Sequence, residues 1–117
     1  MKKNILIGVT AGIAAYKILD LIKLLKNEGH DVFIIMTKGA TEMFPIIDFE
    51  KASGNKISLN LFEKNFNYKA VLENRKVEHI ELADKSDVMV IAPATANIIG
   101  KLAYGIADDF LTTTALA

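Results

Sequence analysis

The first 36 residues constrain the fold most. Asn4-Ile5-Leu6-Ile7-Gly8-Val9 is a short, unbroken apolar run rich in β-branched side chains, the pattern of a strand buried on both faces in a parallel sheet. Thr10-Ala11-Gly12 interrupts it. Ala14, Ile18, Leu21, Ile22 and Leu25 then recur at helical spacing, with Lys17, Asp20, Lys23 and Lys26 forming a solvated side between them. Gly29 stands where a glycine ends a helix, and Asp31-Val32-Phe33-Ile34-Ile35-Met36 is a second buried strand. Strand, helix and strand in this span make a βαβ unit, whose crossover is right-handed in nearly all proteins.

The remaining pattern extends this unit. Ala40 to Phe44 and Ile46 to Ala52 read as short helices, with Pro45 in the first turn of the second. Ser53-Gly54-Asn55 is a turn, and Lys56 to Leu61 is expected to be a third strand. Asn60 to Lys76 carries no readable pattern. His79 to Lys85 predicts one or two turns of helix, Asp87 to Ala92 a further strand, and Ile98 to Ala103 a helix. Asp108 or Asp109 is expected to cap a last helix. That helix reaches Ala117 with neither a glycine stop nor a following strand. The expected class is therefore α/β, a Rossmann-like (flavodoxin-like) doubly wound parallel sheet, truncated at the C-terminus.

Charge and composition exclude several functions. Lys plus Arg and Asp plus Glu each number 14, so no net basic field exists to hold a nucleic-acid backbone. Cysteine is absent and histidine occurs twice, which removes disulfides, thiolate ligands, a cysteine nucleophile and a three-histidine zinc site. No apolar run approaches the roughly 20 residues of a membrane span. The opening Met1-Lys2-Lys3-Asn4 shows no signal-cleavage pattern, and the expected setting is the cytoplasm.

In an open parallel sheet, ligands bind beyond the carboxyl ends of the strands. Three loops fall there: Thr10 to Ile13, Thr37 to Ala40 and Pro93 to Asn97. All are built of small or hydroxyl-bearing residues, and the first and third feed helix N-termini, which favour a phosphate. One such loop reads as an ordinary turn; three together point to a phosphorylated ligand. Gly8-Val9-Thr10-Ala11-Gly12 is not G-x-G-x-x-G, and the second strand closes on Met36-Thr37-Lys38 rather than on a ribose-holding acid, so NAD is disfavoured. Gly100-Lys101 precedes Leu102 inside a helical pattern and is no Walker A loop. A mononucleotide such as FMN needs one phosphate cradle and no ribose acid, and it fits best.

His79, in Val77-Glu78-His79-Ile80-Glu81-Leu82, is the second candidate. It can meet an anionic substrate or shuttle a proton near neutral pH; its plain alternative is a polar helix-start residue. His30, after Gly29 in a turn, is expected to face solvent. Asp108-Asp109 offers a general acid/base pair, with the N-cap as the simpler reading. Phe44, Phe49, Phe62, Phe66 and Tyr68 are read chiefly as core or interface rather than as ring-stacking residues.

These motifs resemble one family. Gly8-Val9-Thr10-Ala11-Gly12-Ile13-Ala14-Ala15-Tyr16-Lys17, Met36-Thr37, His79-Ile80-Glu81-Leu82, Asp87, Pro93-Ala94-Thr95-Ala96-Asn97 and Gly105-Ile106-Ala107-Asp108-Asp109 follow the order and spacing of the flavin-containing cysteine decarboxylases. The resemblance implies that residues 1–117 are the N-terminal portion of an FMN-binding decarboxylase domain. A homotrimer or dodecamer with flavin at the subunit interface, and a phosphorylated small-molecule substrate, are implied with it. Thr10, Ala11, Gly12, Ile13, Pro93, Ala94, Thr95, Ala96 and Asn97 would hold the phosphate and ribityl chain, Thr37 would lie near the flavin, and His79 would be catalytic. Many members carry serine where Gly12 stands, so a side-chain hydroxyl is missing here and the backbone N–H is expected to serve instead. The family's Pro-x-Met-Asn motif and cysteine clamp do not occur in these 117 residues; they are expected further along a longer chain, with a ligase domain possible after them. A flavin prenyltransferase, a peptidyl-cysteine decarboxylase and a non-catalytic flavin-binding regulatory subunit remain alternatives.

Overall fold

A computed structural model describes residues 1–58 and 78–117, with side chains described from Glu81 onward in the second span. The strands are β1 (Asn4–Val9), β2 (Asp31–Met36) and β3 (Val88–Ile91). A 3₁₀ turn at Ile13–Lys17 leads into α1 (Ile18–Asn27); α2 (Lys38–Met43), α3 (Ile46–Ser53), α4 (Glu78–Lys85), α5 (Ala96–Ala103) and α6 (Phe110–Leu116) complete the described elements.

The three strands pair in parallel in the order β2-β1-β3. The chain passes from β1 to β2 on one side, then returns to place β3 on the other. Strand order reverses at β1, and such a reversal opens a crevice at the carboxyl ends of the strands. Ser58 forms a parallel bridge with Ile35 outside β2. Of the strand expected at Lys56 to Leu61, only the part through Ser58 falls within the described residues. Asn60 to Lys76, including Phe62, Phe66 and Tyr68, lies outside them.

Alternation along the strands explains the two covered faces. Ile5, Ile7 and Val9 of β1 and Val32, Ile34 and Met36 of β2 pack with Ala15, Ile18, Ile22, Ala40 and Phe49. Leu6 and Ile35 pack on the opposite face with Leu82, Ile98, Phe110 and Leu111, joined by Phe33, Met89 and Ile91. Helices on both faces make the sheet doubly wound, as the apolar runs predicted. At Gly8 a Cβ would stand 2.3 Å from Leu111 Cδ1, so the glycine lets α6 approach the sheet.

Several local expectations shift. The first helix begins as 3₁₀, with about three residues per turn, so Ala15 is buried and Ala14 is exposed. Its end is as read: Gly29 has φ +90°, and the His30 and Gly29 N–H groups donate to Leu25 O and Lys26 O, a Schellman motif. His30 does not simply face solvent. It is half-buried, and its Nδ1 accepts from the Lys3 N–H at 3.0 Å. Pro45 is the N-cap of α3 rather than part of its first turn. Asp87 lies at the amino edge of the sheet, away from the crevice. Its Oδ2 accepts from Asn4 N–H at 2.7 Å, and its N–H donates to Asn4 O at 2.8 Å, clamping β3 to β1. Among the described residues no helix is long and apolar enough to cross a membrane.

Candidate functional site

The three loops that follow β1, β2 and β3 meet at the carboxyl edge of the sheet. They enclose a cavity of about 410 Å³ lined by Thr10, Ala11, Thr37, Lys38, Gly39, Thr95, Asn97, Ile98, Lys101 and Asp109. That volume lies in the range of small-molecule and cofactor sites.

Each loop is fixed to its neighbour. Thr10 is buried, and its Oγ1 donates to Pro93 O, tying the first loop to the third. A Cβ at Gly12 would stand 2.7 Å from Pro93 Cγ, and one at Gly39 would stand 2.8 Å from Ala11 Cβ. Glycine at both positions therefore permits the loops to close on one another. Gly12 has extended φ of −124°, so sterics and not conformation select glycine. Its N–H donates to Thr10 O at 2.8 Å. The Gly12 donor expected for a phosphate is engaged within the loop, and a serine at this position must displace the Pro93 ring.

Two threonines cap the helices that leave the site. Thr37 Oγ1 accepts from Ala40 N–H at 3.2 Å, and Thr95 Oγ1 accepts from Ile98 N–H at 3.3 Å. The Ala96 and Asn97 N–H groups stand in the first turn of α5, where no intrahelical acceptor reaches them. The positive end of α5 thus faces the same edge as Lys38. Lys101 follows Asn97 by four residues, hence on the same helix face. Its Nζ lies 3.0 Å from Asp108 Oδ2. Asp109 caps α6, its Oδ1 accepting from Thr112 N–H at 2.7 Å.

Of the residues singled out in sequence, Thr10, Ala11, Thr37, Thr95 and Asn97 line the cavity together. Gly12, Pro93, Ala94 and Ala96 belong to the loops without lining it, and Ile13 is 82% exposed. Lys38 and Gly39 belong to the Thr37 to Ala40 loop already placed at the ligand edge from sequence, whereas Ile98, Lys101 and Asp109 were not singled out as ligand-binding residues. Ile98 and Lys101 could have been found from their place on the helix that Thr95 caps. Asp109 arrives through a long-range contact that local pattern does not carry.

His79 is the second residue of α4 and is placed by its backbone. The backbone O of Lys85, at the other end, accepts from Asn4 Nδ2 at the amino edge of the sheet, and Leu82 packs on the sheet face. His79 stands six residues, about 9 Å along the helix axis, from that amino-edge contact.

The family model described as Flavoprotein matches residues 1–117. The bifunctional coenzyme A biosynthesis protein CoaBC of Vibrio vulnificus is 39% identical over 115 residues, covering 98% of this chain and 27% of the relative. A probable phosphopantothenoylcysteine decarboxylase of Streptococcus mutans is 35% identical over 117 residues, covering 100% of this chain and 62% of the relative. The chain thus spans about a quarter of the bifunctional relatives it matches. Among solved structures, the FMN-dependent cysteine decarboxylase SpaF matches with a TM-score of 0.82 at 29% identity, over 98% of this chain and 62% of the other. A PPC decarboxylase variant complexed with pantothenoylaminoethenethiol matches with a TM-score of 0.70 at 26% identity, over 97% and 59%.

Proposed function

We propose, since the chain belongs to the Flavoprotein family, that it is the FMN-binding part of a carboxy-lyase converting 4′-phospho-N-pantothenoylcysteine to 4′-phosphopantetheine in coenzyme A biosynthesis. The observation that carries this reading is the convergence of three strand-end loops on one cavity at the strand-order reversal. The residues present suit a flavin mononucleotide. The first turn of α5 and Lys38 would hold the phosphate, Thr10, Thr37, Thr95 and Asn97 offer hydroxyl and amide partners, and Ile98 an apolar contact. Bound there, FMN would supply a reversible two-electron acceptor for the decarboxylation.

The chain's own residues position the reactants. The Thr10–Pro93 link and the glycine contacts hold the loops together before ligand arrives, which lowers the ordering cost of binding. His79, at the start of α4, would orient the substrate carboxylate or carry a proton at its imidazole nitrogens. Relatives named for coenzyme A biosynthesis at 35–41% identity favour the small-molecule substrate over the peptide substrate of the peptidyl-cysteine decarboxylase EpiD, a structural neighbour at 26% identity. Assembly as a trimer or dodecamer is part of the same proposal. Ile13, Tyr16, Val88 and Val90 leave apolar surface exposed, which association would cover. The proposed location is the cytoplasm.

Released by acid from the purified intact protein and separated by chromatography, the cofactor is expected to be FMN. FAD, or a colourless protein that takes up no added FMN, would contradict the reading.

A further inference from the structure

We infer that Asp109 is a cofactor-binding residue whose free carboxylate oxygen accepts hydrogen bonds from the hydroxyl groups of the flavin's sugar-alcohol chain. This rests on the reading of the cavity as an FMN site.

An N-cap needs one acceptor oxygen, and Asp109 uses only one. Its Oδ1 takes the Thr112 N–H at 2.7 Å and the Thr112 hydroxyl at 2.6 Å. Its Oδ2 has no partner among the described residues, although Asp109 lines the cavity. Asparagine or serine would cap α6 equally well, so capping alone does not call for a carboxylate. The neighbouring acid is differently placed: Asp108 is paired with Lys101 at 3.0 Å. Asp109 is therefore the one carboxylate among the described lining residues, with no cation assigned to it.

A free carboxylate in a cavity that receives a phosphate is repelled by that phosphate unless it faces donors. A phosphorylated polyol satisfies both demands, with an anion at one end and hydroxyl donors along the chain. In dinucleotide-binding folds an acid after the second strand accepts from ribose hydroxyls. Here that strand closes on Met36-Thr37-Lys38, which offers no acid. α6 brings one to the same cavity from a different direction.

The test compares two ligands on two proteins. Apo forms of the intact protein and of Asp109→Asn are titrated with FMN and with a 5-phosphopentyl flavin, whose chain lacks the secondary hydroxyls. Dissociation constants are read from flavin fluorescence. Asparagine keeps the cap but replaces the free acceptor with an amide or weakens it, so FMN affinity is expected to fall about tenfold or more, the size of a lost charge-assisted hydrogen bond. The phosphopentyl flavin should bind both proteins within about twofold. Equal FMN affinity in the two proteins, or an equal loss for both ligands, would overturn the assignment. Should the asparagine variant fail to fold, Asp109→Ser retains a capping oxygen and enters the same comparison. A parent protein that binds no FMN overturns the cavity reading itself, and this inference with it. A parent that binds FMN beside an unaffected variant overturns only the role of Asp109.

Discussion

His79→Asn in the intact, FMN-loaded protein is expected to lower CO2 release by on the order of 10² to 10⁴, the usual contribution of a positioned acid–base group. The flavin absorption spectrum should be unchanged. The two readouts separate because different elements carry them. The described cavity is built by the loops after β1, β2 and β3 together with α5 and Asp109, whereas His79 is the second residue of α4. Asparagine keeps a polar residue suited to a helix start and removes only the imidazole, whose proton moves near neutral pH. A structural role would therefore survive this substitution, and a chemical one would not. Near-normal turnover would return His79 to the plain reading of a helix-start residue.

Phe49→Ala should be the most destabilising single truncation on the α1 face of the sheet. Phe49 is fully buried among Val9, Ile34, Met36 and Ala40, and truncating a core phenylalanine costs about 3–5 kcal/mol. For a domain near this size each kcal/mol lowers Tm by roughly 4–8 °C, so a fall of about 12 °C or more is expected in a thermal melt. Phe49 does not line the cavity. FMN affinity measured well below the transition should therefore remain within about threefold. A shift of only a few degrees would show that the α3 side of the core repacks freely.

Phe49 also shows how far sequence pattern reaches. As one aromatic among several it reads as core, and its burial bears that out. The strands were legible because a doubly covered sheet demands unbroken apolar runs, and Asn4–Val9 and Asp31–Met36 match their runs to the residue. Helix phase was less legible. The change from 3₁₀ to α winding at Ile18 rotates the buried stripe from Ala14 to Ala15, and no local residue signals it. In the cavity, Thr10, Thr37 and Thr95 stood out because hydroxyls at strand ends are chemically distinctive. Lys101 and Asp109 were harder, since each becomes part of the site only when α5 and α6 pack beside β1. The Gly12 N–H is engaged for a related reason: the loop folds back on Thr10 and uses a donor that an open loop would leave free.

FMN-dependent decarboxylation at this cavity can be measured outright. Its most direct test supplies the intact FMN-loaded protein with 4′-phospho-N-pantothenoylcysteine labelled in the carboxylate. Labelled CO2 is expected in equal amount to 4′-phosphopantetheine, abolished by stripping the flavin and restored by adding FMN. Failure of the loaded protein to release label, or release from a peptide ending in cysteine but not from this substrate, would contradict it.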